Sequence, residues 1–355
     1  MTTLLATIFV LGVLVFLHEF GHFIVAKIVG VRVNRFSLGF PPRLIGKKIG
    51  ETDYCISAIP LGGYVKLAGM IDESLDKTPL RGEPWEFQSK PWLHRLGVIL
   101  AGPLSNYLVA ILLFAGLVLT KGIGYVKDTT VGEVISEYPA EKAGIRVGDR
   151  IVAINGQPVT RWEDMTEIIH SRPNQEVTVE WERDGQKFVA VIHTRAQKAP
   201  VDGDIREIGL IGIGPKVYTR KVGLFSAIGY GAKRTVYLTK LIYVSLKKII
   251  TGTESIRSLG GPLIIAKLAG ESARTGWDSV FALMAFLSLN FAILNLLPIP
   301  ALDGGHMLFL IIEGIIRRPV PTKVKMIIQQ IGMVIIFALI ILVLFNDIRN
   351  VFLKK

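Results

Sequence analysis

Apolar residues in this chain gather into a few long runs separated by stretches of quite different texture. Four runs are long enough to cross about 30 Å of hydrocarbon at roughly 1.5 Å per helical residue. They are Leu4–Val29, Leu96–Leu119, Val280–Ile299 and Met326–Phe345. Between Val31 and Trp92 the pattern breaks into short apolar pieces, such as Tyr54–Ile59 and Tyr64–Leu67, punctuated by Gly39, Pro41, Pro42, Gly46, Gly50, Pro60, Gly62, Gly63 and Gly69. That texture predicts strands and turns. So apolar a segment beside membrane spans is expected to dip into the bilayer, where its backbone must be paired or buried.

From Thr129 to Thr194 the alternation changes again. Val131–Ile135 and Arg150–Ile154 read as strands, the latter closed by Asn155-Gly156. Trp162–His170 reads as a helix, and Val177–Arg183 with Lys187–His193 as a hairpin turning at Asp184-Gly185. This is the pattern of a small peptide-binding α/β sandwich. Val222–Ile250 mixes apolar residues with Lys233, Arg234, Lys240, Lys247 and Lys248, and is expected to form an amphipathic helix on the membrane surface.

Composition supports the membrane reading. Half of the 355 residues are hydrophobic, and the mean hydropathy is +0.46. The net charge of +12 then points to cytoplasmic loops and headgroup contacts, with nucleic acid excluded as a partner. A single cysteine, Cys55, excludes an internal disulfide and a Cys-rich metal site. No Lys or Arg precedes the first apolar run and no small-residue cleavage site follows, so it reads as a retained span. Basic residues from Arg32 to Arg95, Lys77 among them, and Arg317, Arg318, Lys323 and Lys325 after the third span place those two loops in the cytoplasm. Arg349, Lys354 and Lys355 argue mildly the other way. With that orientation the first and third spans run in the same direction.

The first span carries His18-Glu19-Phe20-Gly21-His22. Two histidines four apart share a helix face and can reach one ion, and Glu19 sits where it can touch a water on that ion without being a ligand. Ionisable groups in a span are costly and mark function. A zinc hydrolase needs a third ligand and an open position. Asp303 is the candidate, because Pro298 and Pro300 break the third span where it nears the cytoplasmic face and Gly304 and Gly305 allow close approach. His306 competes for the same role. Asn290 and Asn295 on the third span suit contact with a substrate backbone, and Asn106 suits packing of the second span.

In combination these motifs resemble the bacterial site-2 proteases, the intramembrane zinc metalloproteases of the RseP type in peptidase family M50. The resemblance rests on HEFGH, on FSLGFPPRL and IPLGGYVKLAG in the Gly-rich loop, on GPLSN in the second span and on NLLPIPALDGG in the third. Residues Val131–Val159, with EYPAEKAGIRVGDRIVAINGQPV, look like a PDZ domain. The resemblance implies a polytopic α-helical protein with four transmembrane helices, a membrane-associated β-hairpin loop and one inserted extracytoplasmic PDZ domain. Its expected order is 1–30 first span, 31–95 Gly-rich loop, 96–120 second span, 121–200 PDZ domain, 201–276 amphipathic region, 277–300 third span, 301–325 third-ligand loop, 326–346 fourth span and 347–355 tail.

The resemblance further implies a metalloendopeptidase of the bacterial inner membrane. It would cleave transmembrane segments of single-span proteins, already trimmed, such as anti-sigma factors or remnant signal peptides. His18, His22 and Asp303 match the ligands of one Zn2+, and Glu19 matches the carboxylate that activates the zinc-bound water. Asn290 and Asn295 match polar positions near the site. A strand edge in the Ile56–Leu67 region, with Gly62, Gly63 and Tyr64 as contacts, could hold the unwound substrate by strand addition. The best-known members carry two PDZ domains where this chain shows one. Two other classes compete: a zinc-dependent membrane adaptor, which would not need Glu19, and an ion transporter, which would be expected to show two inverted halves.

Overall fold

The computed structural model describes residues 1–70, 81–201, 204–254 and 260–349; Lys77, Lys354 and Lys355 lie outside them. It divides into two units, one of residues 1–119 and 223–355 and the other of residues 120–222.

The larger unit is built on helices α1 (Thr2–Ile28), α2 (Trp92–Lys121), α5 (Leu224–Ile250), α6 (Pro262–Thr275), α7 (Trp277–Leu296), α8 (Asp303–Ile316) and α9 (Thr322–Ile348). Four of them, α1, α2, α7 and α9, are long and apolar enough to cross a membrane. These are the four runs read from the hydropathy. α2 begins at Trp92, four residues before its expected start. α1 and α9 meet the same short helix at opposite ends of the chain. Thr3 of α1 packs on Gly270 of α6, and Asp347 of α9 accepts from the N–H groups of Gly261 and Leu263 at 2.9 and 3.0 Å, capping α6. The start of α1 and the end of α9 therefore both pack on α6.

The Gly-rich loop forms β1 (Val33–Ile49) and β2 (Thr52–Leu67), a hairpin of long strands that fold back on themselves. Phe36 pairs with Tyr54 on one side and with Val65 on the other, while Tyr54 also pairs with Lys47. Residues 63–67 thus form an outer edge of this sheet among the described residues. The sheet leans on α1 through Phe36, whose ring lies 5.5 Å from that of Phe16 and 5.0 Å from that of Phe23.

α5 is not isolated from the spans. Gly231 packs on the backbone of Ile111 and Ala115 in α2, and the hydroxyls of Thr239 and Tyr107 meet at 3.4 Å. The amphipathic helix expected on the membrane surface therefore runs along a spanning helix over at least these two turns.

The second unit contains β3 (Ile123–Val134), α3 (Pro139–Lys142), β4 (Arg150–Ile154), β5 (Gln157–Pro158), α4 (Trp162–His170), β6 (Glu176–Arg183), β7 (Gln186–His193), β8 (Arg195–Val201), β9 (Asp204–Leu210) and β10 (Ile213–Arg220). Its main sheet runs β10-β3-β4-β6-β7. Val131, Ile151, Ile154, Met165, Val177 and Val179 close its core. The expected strands and helix are all present. The unit extends past residue 200 because β10 pairs with β3, Ile213 opposite Val134, so residues 201–222 belong with it and not with the amphipathic region.

Candidate metal centre and active site

α1 stays helical through HEFGH although Gly21 and the two histidines are weak helix formers, because the long apolar flanks carry the helix and α2 supplies partners for the polar residues. His18 and His22 project from one face, with Nε2 atoms 3.3 Å apart. α7 ends at Leu296, ahead of Pro298 and Pro300. The chain turns through Ala301, at φ +71°, and restarts as α8 with Asp303 as its first residue. Gly304 and Gly305 press on the backbone of residues 296–300, where any side chain would collide. This turn delivers the Asp303 carboxylate to the two imidazoles. Oδ2 lies 3.1 Å from Nε2 of His18 and Oδ1 lies 3.4 Å from Nε2 of His22. The three residues offer ligand atoms all within 4.8 Å of one another, a set that could hold one metal ion. His306 turns away, to Gln329 at 3.0 Å.

The outer partners set the imidazoles' protonation. His22 Nδ1 donates to the carbonyl of Val98 at 2.8 Å, which leaves its Nε2 with a lone pair. The amide of Asn106 lies 3.3 Å from His18 Nδ1, while its Oδ1 is buried without a partner. Exchanging the amide's two ends, which differ little in shape, lets Oδ1 accept from His18 Nδ1 and frees His18 Nε2 as well. Two lone pairs and a carboxylate then face one another with no proton between them. Asp303 Oδ2 is itself a buried atom without a hydrogen-bond donor. A cation resolves that arrangement, so the donor set fits a divalent metal of the kind that takes nitrogen and oxygen ligands.

Asn106, the Val98 carbonyl and Gly102 were missed as parts of this site. A side chain at Gly102 would overlap the imidazole of His22 and come within 2.8 Å of His18 Cε1. Gly21 fits against Ala101 in the same way, and Ser105 Oγ donates to the carbonyl of Leu17 at 2.8 Å. α1 and α2 are therefore in close backbone contact at the metal cluster. Ser288 of α7 donates to the carbonyl of Asn106 at 2.8 Å and ties the third span to the same point.

Glu19 is half-buried and adjoins the sheet, since a Cβ on Gly63 would lie 3.6 Å from its Cγ. Gly62 and Gly63 are buried, and the Tyr64 hydroxyl accepts from Arg35 at 3.0 Å. An apolar cleft of about 270 Å³ opens beside them, lined by Phe9, Gly12, Phe16, Leu38, Ile56 and Gly62. Asn290 donates to the carbonyl of Phe286 in its own helix at 2.8 Å. Asn295 lies half-buried at the end of α7, one turn further along.

A cluster of two histidines on a membrane-length helix and an aspartate, with a glutamate next to the first histidine, defines a metallohydrolase-type site. Comparison with known proteins narrows the class. The model of peptidase family M50 matches residues 6–339. The chain is 36% identical over 361 residues to a protein of Rickettsia conorii, covering 99% of this chain and 100% of that one. It is 35% identical over 338 residues to one of Clostridium acetobutylicum, covering 95% and 94%; the names of both carry the words zinc metalloprotease. It is 30% identical over 427 residues to zinc metalloprotease RasP of Bacillus licheniformis, covering 99% and 100%. The chain belongs to peptidase family M50, and it is a multi-pass membrane protein. Among solved structures, the PDZ domain of the SdrC-like protein Lmo2051 of Listeria monocytogenes matches 26% of this chain and 90% of its own, at 21% identity and a TM-score of 0.21.

Proposed function

We propose that the chain is an intramembrane zinc metalloendopeptidase that hydrolyses peptide bonds within transmembrane segments of single-span membrane proteins. The observation that carries this reading is the meeting, within 4.8 Å, of His18 and His22 on a membrane-length helix with Asp303 at the first residue of α8. Those three residues hold the metal, and the zinc metalloprotease names of its relatives support Zn2+ as the ion. When bound, zinc supplies Lewis-acid polarisation of a carbonyl and lowers the pKa of a coordinated water to about 7. Glu19 takes the proton of the attacking water and returns it to the leaving amine. Val98 and Asn106 hold the imidazoles in the tautomer that this requires.

A transmembrane helix hides its carbonyls in its own hydrogen bonds, so it must unwind locally before it can be cut, and in lipid each freed group needs a partner. The outer edge at residues 63–67 supports strand addition there, with Gly62, Gly63 and Tyr64 against the substrate backbone. The 270 Å³ cleft takes apolar substrate side chains. Asn290 and Asn295 would steady the far side of the substrate on release of Asn290 from its own helix. The 120–222 unit would serve as an extracytoplasmic PDZ domain that admits trimmed substrates; its strand order, with a helix between β4 and β6, suits the PDZ fold. The active site lies near the cytoplasmic face of a bacterial inner membrane, on the side of Arg95 and Arg317.

The test is cleavage of a membrane-embedded reporter by purified wild type and Glu19→Gln. Loss of the general base is expected to lower turnover by about 10²–10⁴-fold with zinc retained. Cleavage by neither would make the chain a zinc-binding adaptor or some other non-protease, and equal cleavage by both would remove the assignment of the activity to Glu19 and this metal centre. Proline at Tyr64, Val65 or Lys66 is expected to cut turnover with zinc still bound, and normal cleavage by all three would remove the strand-addition model.

A further inference from the structure

The first turns of α2 and α9 and the end of α8 enclose a cleft of about 670 Å³ that the hydrolytic site does not use. Trp92 and Arg95 line it from α2, Glu313 from α8, Arg317 and Arg318 from the following turn, and Lys325 from α9. Four cations thus face one carboxylate. Glu313, its side chain only 3% exposed, is already held by Arg95 at 2.9 Å, by Lys325, and by the Val320 N–H at 3.0 Å. Burial raises its pKa, but the bonds from Lys325 and Arg95 outweigh this and hold the carboxyl below its usual range, so it stays charged. Arg317 and Arg318 are exposed and make no ion pair among the described residues. The Arg95 Nε is buried without a partner. The cleft therefore keeps an excess of three positive charges on a framework fixed by the Glu313 contacts and by the Trp92 indole, which donates to the Leu310 carbonyl at 2.6 Å.

The surroundings of the cleft indicate the ligand. It lies at the ends of two spanning helices, where a headgroup sits. Leu93, Ile315, Ile316 and Ile327, each within two residues of a position that lines the cleft, are 69, 76, 58 and 47% exposed. A cationic cleft whose lining segments also carry bare aliphatic side chains suits a molecule with a phosphate at one end and acyl chains at the other; a soluble phosphate would leave those side chains uncovered. We infer that this cleft binds the phosphate headgroup of an anionic glycerophospholipid, with Arg317 and Arg318 as its principal contacts. The inference depends on the membrane spans and not on the proteolytic reading.

Full-length protein purified in detergent and offered an equal mixture of phosphatidylglycerol and phosphatidylcholine would be examined by native mass spectrometry. Phosphatidylglycerol is expected to be retained preferentially. Each cation near a bilayer surface is worth about a fivefold change in binding, so the Arg317→Gln/Arg318→Gln double variant should retain it about 25-fold less. The Arg317→Lys/Arg318→Lys variant should restore most of the retention, and Lys247→Gln/Lys248→Gln at the end of α5, which does not line the cleft, should change it far less than the double arginine variant does. Equal retention of the two lipids by wild type, or undiminished phosphatidylglycerol on the double glutamine variant, would overturn the proposal. So would millimolar inorganic phosphate that raises the melting temperature as much as the lipid does and displaces it, since the ligand would then be a soluble phosphate.

Discussion

Adding one methyl group to α2 tests whether the metal centre depends on the close approach of two helices. The Cβ of Gly102→Ala would overlap the His22 imidazole, 2.6 Å from its Cε1, and would sit 2.8 Å from His18 Cε1. Ordinary contact begins near 3.4 Å, so the His18 ring must retreat by about 0.6 Å and the His22 ring, whose Nε2 is nearer still, by more than about 0.8 Å. Metal sites tolerate ligand displacements of about 0.2 Å. The rings cannot retreat freely, because His22 is tethered to Val98 at 2.8 Å and Gly21 already rests on Ala101. Overpacking of this kind costs about 1–3 kcal/mol, and loss of the imidazoles' settings is expected to weaken zinc about 10–100-fold or more. Gly116→Ala on the same helix is the control, since a Cβ added there would meet no atom within 4 Å beyond its own helix turn and alanine gains up to about 1 kcal/mol of helix propensity. Zinc per chain, measured by atomic absorption after dialysis against a graded chelator, should fall for Gly102→Ala and stay unchanged for Gly116→Ala. Full zinc and wild-type cleavage of a membrane reporter by Gly102→Ala would refute the packing argument.

Asn106→Leu, close in volume, should weaken zinc by about 10–100-fold in the same chelator titration through loss of the His18 tautomer. Asp303→Asn should abolish stoichiometric zinc, whereas His306→Gln should keep it; the reverse result would move the third ligand to His306. Removing the Asp347 cap from α6 by Asp347→Ala should cost about 1–2 kcal/mol, read as earlier thermal unfolding and faster hydrogen exchange at residues 261–264. In the 120–222 unit, burial raises the pKa of Asp149, but hydrogen bonds from Arg183 at 2.7 and 2.8 Å and from the Arg146 N–H outweigh it and hold the carboxyl below its usual range. A group depressed in this way stabilises the fold above its unfolded pKa, about 3.9. That contribution is lost as pH falls through the lower folded value. Hydrogen exchange in β4 and β6 should accelerate over that acid window in wild type, and Asp149→Asn should flatten the response.

The elements that could be read from one dimension are those whose cause is local. Hydropathy found α1, α2, α7 and α9, because a span needs only length and apolarity. The four-residue spacing of His18 and His22, and the prolines and glycines around Asp303, carried three members of the metal cluster; the parity of the spans then allowed them to share one depth. The double pairing of Phe36 with Tyr54 and Val65 was not legible, since register inside a Gly-rich apolar segment is weakly encoded. Nor was the pairing of Ile213 with Val134 that extends the second unit.

The missed parts of the active site had a signal of a different kind. Val98, Gly102 and Asn106 recur every four residues on α2, so they share one helix face, as His18 and His22 do on α1. Two four-residue ladders facing each other are what ridge-into-groove packing of two helices uses. Ala227, Gly231 and Thr235 form a third such ladder, of small residues, and they are the positions of α5 that are fully covered. In a membrane, where apolarity does not distinguish a helix face that meets protein from one that meets lipid, the spacing of small and polar residues is the remaining record of which faces touch. Read that way, GPLSN is a receptor for the two imidazoles. Gly102 admits them, Asn106 and the Val98 carbonyl fix their protons, and the substitution of Gly102 by alanine is the most direct challenge to that assignment.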